Sequence, residues 1–248
     1  MIRVVNVSKS FDGVPVLKNV STVFEKGKTN LIIGQSGSGK TVLMKCLVGL
    51  LNNDAGQILY DNHEFSTMTF AERRIIRQKL GMLFQGGALF DSLTVEENVI
   101  FPLNMFSEMN REEKLERANF CLKRVNLENV NHLYPAEISG GMKKRVAIAR
   151  AISNSPSYLF CDEPNSGLDP LTAIVIDNLI SEITQEFDIT TVVNTHDMNS
   201  VMEIGDKVAF IYKGELWWEG SRFEILKTEN KEVNDFVYAS ELMRTIKQ

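Results

Sequence analysis

The run Gly34-Gln-Ser-Gly-Ser-Gly-Lys40-Thr41 constrains this chain more than any other feature, because it matches in full the glycine-rich pattern that cradles phosphate groups. Across Gly34, Gln35, Ser36, Gly37, Ser38 and Gly39, such a pattern lets consecutive backbone N–H groups converge on an anion, and a following helix adds its positive end. Lys40 is then placed to reach the β and γ phosphates of a nucleotide, and the Thr41 hydroxyl to ligate Mg²⁺. A chance Gly/Ser-rich turn is the alternative, and the flanks argue against it. Thr29–Ile33 reads as a short strand running into the glycines, and Val42, Leu43, Cys46, Leu47 and Leu50 recur at helical spacing after Lys40.

The rest of the chain predicts an α/β domain. Ile2–Val7 and Val20–Phe24 alternate as strands, and Tyr158–Cys161 and Ile189–Asn194 are continuous apolar runs suited to a parallel sheet covered on both faces. Val208–Tyr212, Gly214 and Glu215–Glu219 read as a hairpin that carries Trp217 and Trp218, with one ring packed inward. Between residues 70 and 155 the segments Ala71–Lys79, Arg111–Val125 and Lys143–Asn154 carry apolar residues three and four apart, the mark of an inserted helical subdomain. His63 and His132 read as surface residues.

Composition removes several function classes. A formal charge of −5 over 248 residues shows no concentrated basic face, so neither a nucleic-acid partner nor polybasic membrane adhesion is expected. Apolar stretches such as Leu47–Leu51 fall far short of the about 18 residues that span a bilayer. Cys46, Cys121 and Cys161 form no CxxC pair and read as buried small apolar residues of a reduced protein.

Further motifs bear on chemistry. Tyr158-Leu-Phe-Cys-Asp162-Glu163 is an apolar strand ending in two acids, which places a carboxylate at the sheet edge beside the phosphate loop. Asp162 would hold Mg²⁺ through water, and Glu163 would act as general base or orient the attacking water. His196, after another apolar strand, shares that edge and suits a γ-phosphate contact. Gln85, after Gly81–Phe84, can reach Mg²⁺ or the water. Ser139, Gly140 and Gly141 present a second set of free N–H groups at a helix start. Ser139 also reads as an ordinary helix N-cap, and the two roles are compatible. One nucleotide hardly needs two anion nests from one chain, so the second nest is expected to close over a nucleotide held by another copy.

These motifs and their order resemble the ABC ATPase family across nearly the whole chain: Walker A at 34–41, Q-loop at Gln85, signature at 138–142, Walker B at 158–163, D-loop at 166–169 and switch His196. The resemblance implies a P-loop NTPase fold with a mixed sheet core, an N-terminal antiparallel β subdomain and an inserted helical subdomain. It also implies a nucleotide-binding domain over 1–228, with the helical subdomain near 86–156, and a C-terminal helical extension over 229–248. Phe11 occupies the family's adenine-stacking position, where Tyr is commoner. Met142 stands where Gln is usual and Ile138 where Leu is usual, and neither removes the nest itself.

A narrower resemblance lies in Gln85–Leu103, chiefly Gly86–Ser92, together with Met142: it looks like the ATPases of Mla-type, Mce-associated phospholipid transporters. That implies a head-to-tail homodimer at the cytoplasmic face of an inner membrane, bound to an integral permease, with an Mce-domain protein, an accessory subunit and phospholipid as further partners. Leu89, Phe90, Val95, Phe101 and Leu103 are expected to form an apolar groove for the permease, or to fill the subdomain's core. The extension carries Val233, Phe236, Val237, Leu242 and Met243 at helical intervals, and the resemblance implies that it can embrace the other protomer. Alternatives are transport of another solute such as an amino acid or a lipoprotein, a soluble ABC switch acting on ribosomes or DNA, and a module that holds ATP without cleaving it. Glu163 argues against the last.

Overall fold

The computed structural model describes residues 1–239. Strands β1 (Ile2–Phe11), β2 (Val14–Phe24), β4 (Ala55–Tyr60) and β5 (His63–Glu64) form an antiparallel sheet in the order β2-β1-β4-β5. A second sheet has the order β10-β9-β3-β8-β7-β6, built from β3 (Thr29–Ile33), β6 (Leu80–Leu83), β7 (Tyr158–Asp162), β8 (Thr190–Asn194), β9 (Lys207–Tyr212) and β10 (Glu215–Gly220). All its pairings are parallel except that of β10 with β9.

Helices cover this second sheet: α1 (Lys40–Leu47), α2 (Phe70–Arg77), α3 (Val95–Phe106), α4 (Arg111–Arg124), α5 (Gly140–Ile152), α6 (Pro170–Glu186), α7 (Met198–Ile204) and α8 (Lys231–Val237). The expected architecture is present, a mixed sheet core beside an N-terminal antiparallel sheet, with α3, α4 and α5 inserted between β6 and β7.

The period-2 geometry of a strand divides the core in two. Leu31 and Ile33 of β3, Leu159 and Cys161 of β7 and Val193 of β8 join one apolar cluster with α3, α4, α5 and α6. Their neighbours Ile32, Tyr158, Phe160 and Val192 join the other, with α1 and the antiparallel sheet. Both faces are buried, which explains the unbroken apolar runs. The three cysteines are free and buried, His63 and His132 are exposed, and Trp218 packs against the core while Trp217 is exposed.

Several elements differ from the sequence expectation. The strand β2 begins at Val14 and β1 continues to Phe11, through bulges where Asn6 and Asn19 take positive φ of 50° and 49°. The first helix stops at Leu47, ahead of Gly49. The stretch 95–106 is helix α3, with Val95, Val99 and Leu103 on its buried side. Val95 and Leu103 are 0% exposed, so of the two alternatives they follow the core-filling one and do not line a groove; Leu89, Phe90 and Phe101 remain nearer the surface. Helix α8 accommodates Val233, Phe236 and Val237, whereas Leu242 and Met243 lie outside the described residues.

Candidate active site

Strand β3 delivers the chain into the phosphate loop at the carboxyl edge of the parallel sheet. Gly34 has φ 144°, and a Cβ there would stand 2.2 Å from the Ile211 carbonyl oxygen, so only glycine lets the loop cross β9 this closely. Gly39, at φ 108°, opens α1, which has no side-chain cap. Helices α2, α3, α4 and α6 are capped by Thr69, Thr94, Asn110 and Asp169. The uncapped N–H groups of α1 are therefore left for an anion.

Three further observations fit a triphosphate. Ser38 Oγ is buried with no hydrogen-bond partner. Gly37 has open space where a side chain would stand. The Lys40 ammonium is buried, donates to the carbonyl oxygens of Gly34 (2.8 Å) and Gln35 (3.0 Å), and has its pKa lowered by that burial against the pull of Glu163 and Asp162. A buried cation held only by carbonyl dipoles gains most from an arriving anion.

Asn194, fully buried at the end of β8, joins the loop to the acids. Its amide nitrogen donates to Asp162 Oδ1 at 2.5 Å and to Thr41 Oγ1 at 3.2 Å, so the hydroxyl and the carboxylate flank one point. Burial raises the Asp162 pKa, while the Asn194 bond acts to lower it. Hard oxygen donors at one point suit Mg²⁺. Sequence reasoning missed Asn194; its signal is a single amide closing a buried strand two residues before His196.

The next residue after Asp162 in the chain, Glu163, has φ 45°, a strained value for a side chain of this size. Its N–H donates to the Asn194 carbonyl at 2.9 Å, which holds the turn. Both carboxylate oxygens are engaged: Oε2 accepts from Gln85 Nε2 at 3.1 Å, and Oε1 lies 3.2 Å from His196 Nδ1. Gln85 also reaches Ser166 Oγ at 3.4 Å. The structure thus brings Gln85, Glu163 and His196 together, with the amide nitrogen of Gln85 turned to the acid and not to Thr41. A water here would meet a carboxylate that can take its proton beside two polar side chains that can orient it.

The remaining predicted residues lie apart. Phe11 ends β1, 41% exposed, with the Lys9 ammonium 5.5 Å from its ring centroid. Ser139 caps α5, its Oγ accepting from Met142 N at 3.2 Å, while Gly140 faces open space. Met142 packs half-buried against the core. Among the described residues no hydrogen bond joins Ser139–Gly141 to Gly34–Thr41.

A parallel sheet with a phosphate loop between β3 and α1, and paired acids at the end of β7, defines a P-loop nucleotide hydrolase. The ABC transporter family model matches residues 17–166, and the chain belongs to that family as an ATP-binding subunit that uses ATP with Mg²⁺. Methionine import ATP-binding protein MetN 2 of Bacillus cereus is 39% identical over 242 residues, 96% of this chain and 71% of the relative. The corresponding MetN 1 of Listeria innocua is 40% identical over 229 residues, 91% and 68% of the two chains. Among solved structures, the dimeric cassette MJ0796 bound to ADP and Pi superposes with a TM-score of 0.82 at 33% identity, covering 90% of this chain and 99% of that one. For cbiO1 of Clostridium perfringens, part of the ABC transporter complex cbiONQ, the TM-score is 0.86 at 28% identity, covering 100% and 98%.

Proposed function

We propose that two copies of this chain sandwich ATP between the Gly34–Thr41 loop of one and the Ser139–Gly141 nest of the other, and that hydrolysis there drives a membrane permease. The observation that carries the hydrolytic half is the convergence of Gln85 and His196 on the two oxygens of Glu163. In this reading Glu163 accepts the proton of the attacking water, and Gln85 and His196 hold the carboxylate and water in line with the γ-phosphorus. Lys40 meets the β and γ phosphates, and Phe11 stacks on the base. Thr41 and Asp162 would hold Mg²⁺, which would supply positive charge to offset the charge developing on the transferred phosphoryl group. The dimeric state of MJ0796 supports the pairing of copies.

A groove of about 390 Å³, lined by Phe84, Ala88, Phe90, Phe101, Met105 and Arg150, supports docking of a permease helix. Phe90 and Phe101 pack with their rings tilted at 48° and centroids 4.6 Å apart. Arg150 donates to the carbonyl oxygens of Gly87 and Ala88, both at 2.7 Å, and Lys144 donates to that of Gln85, so the loop behind the groove is fixed to α5. Among the described residues no helix is long and apolar enough to cross a membrane, and in this reading the chain sits at the cytoplasmic face of the inner membrane through the permease.

The cargo touches the permease and not this chain. Likeness to methionine import ATPases near 39% identity supports a small solute such as an amino acid. Gly86–Ser92 and Met142 favour a second reading, phospholipid delivered to an Mce-domain carrier with an accessory subunit. Purification of the intact complex separates the two: phospholipid carried along by the complex supports the second, and solute-stimulated turnover with a lipid-free complex supports the first. The motor itself is tested by Glu163→Gln, which is expected to dimerise on ATP and lose hydrolysis by at least about 100-fold. A parental rate in that variant removes Glu163 from the reaction.

A further inference from the structure

The loop that follows Glu163 and the helix that follows His196 meet over a third residue that none of the motifs includes. Asp177, in the middle of α6, is 3% exposed. Its neighbours are Asn165, two positions after Glu163, and Ser200 in α7, four positions after His196, the side chains whose effect on its carboxyl opposes that of burial. Asn165 Nδ2 donates to Ser200 Oγ at 3.1 Å, closing the triangle. The triangle is short of donors: Asp177 Oδ1 and Asn165 Oδ1 are both buried without a hydrogen-bond partner. The titratable groups acting on Asp177 are Asp197, the N-cap of α7, and Glu203 within it, and Cys161 of β7 responds to it in turn. None of them is a cation. A buried carboxyl with an unpaired oxygen and only acids for charged neighbours is costly in a purely structural position, where an apolar side chain would pack without penalty.

We propose that Asp177 is a positioning residue for ATP hydrolysis, its buried carboxyl set beside the Asn165–Ser200 hydrogen bond and so holding the Glu163 turn and the His196 helix in one register. The proposal rests on Glu163 and His196 acting together as read above. Burial pushes the Asp177 carboxyl up to about 6, against the opposing effect of Ser200 and Asn165. Its charge is therefore lost just below neutral pH, and a proton there turns one acceptor into a donor and rearranges the triangle.

The test is steady-state ATP hydrolysis by the dimer-forming full chain from pH 5 to 8, for the parent, Asp177→Asn, Ser200→Ala and the double variant, with thermal melting alongside. Asp177→Asn is expected to lower kcat on the order of tenfold at pH 7.5 with KM for ATP within about twofold of the parent. It is expected to remove the acid limb near pH 6 and to melt no earlier. Ser200→Ala should lower kcat in the same direction, and the double variant should add little, because both remove one linkage. Parental kcat with an unchanged acid limb in Asp177→Asn overturns the proposal, as does full additivity of the pair. If Asp177→Asn does not fold, Ser200→Ala decides alone by the same two readouts. Glu163→Gln run in parallel keeps the cases apart: a parental rate there defeats the hydrolytic reading itself, whereas a dead Glu163→Gln with an unaffected Asp177→Asn defeats only the role of Asp177.

Discussion

Gln85 holds the carboxylate of Glu163 at 3.1 Å while its own carbonyl oxygen is held by Lys144 of α5. One residue therefore joins the acid at the sheet edge to the helix that begins with Ser139 and to the loop behind the apolar groove. Removing the amide should leave nucleotide binding intact and weaken the communication. Gln85→Leu is expected to keep ATP affinity within about twofold and to lose most of the stimulation that the permease gives to turnover. Phosphate release with and without the reconstituted permease measures it.

Asn98 is buried in α3, and its side chain accepts from Phe90 N at 2.8 Å and donates to the carbonyl oxygens of Phe90, Leu93 and Thr94 at 3.1, 3.1 and 2.9 Å. It shapes the whole segment 90–94 beside the groove. Asn98→Ala leaves Phe90 N and the Leu93 carbonyl unpaired, while the Phe90 and Thr94 carbonyls still accept from Leu93 N and Asn98 N, and a loss of about 2–4 kcal/mol in a urea titration is expected. Nucleotide affinity, set by the phosphate loop and not by this segment, should be unchanged.

Gly34 admits no side chain. The 2.2 Å approach of a Cβ to the Ile211 carbonyl, together with φ 144°, sets the cost of Gly34→Ala at about 3 kcal/mol or more. The variant should express poorly, or fold with a displaced loop that no longer binds ATP. Equilibrium nucleotide binding on whatever soluble fraction remains distinguishes these outcomes from a harmless exchange.

Asp177 gives a stability prediction of definite sign. Its folded pKa of about 6 lies above the ordinary 3.8, so the folded chain holds the proton more tightly than the unfolded one. Below about pH 4 both states are protonated and there is no penalty; it grows as pH rises and is complete above about 6. Asp177→Asn should therefore exceed the parent in stability at pH 8, by at most about 3 kcal/mol, and match it near pH 4. Denaturation midpoints at the two pH values check this.

The phosphate loop and the acids were legible because they lie where periodicity changes, at the ends of strands whose apolar runs are unbroken. Helix α3 was not, since Pro102 interrupts it and lacks the N–H that an interior turn uses. Its Val95, Val99 and Leu103 nevertheless recur every four residues, a spacing that fits a helix. Asn194 and Asp177 escaped for another reason. Each matters only through partners far away in the chain, Thr41 for the one and Asn165 and Ser200 for the other, and no local pattern encodes such meetings.

Leu31 and Ile32 are adjacent in β3 yet belong to different apolar clusters, as do Phe160 and Cys161 in β7. The central sheet is a party wall. Side chains on the partner side can be exchanged for others of equal bulk without being felt across it, except through small shifts of strand backbone. A lineage can thus remodel the half that carries the apolar groove while the core beneath the Gly34–Thr41 loop and α1 stays as it was.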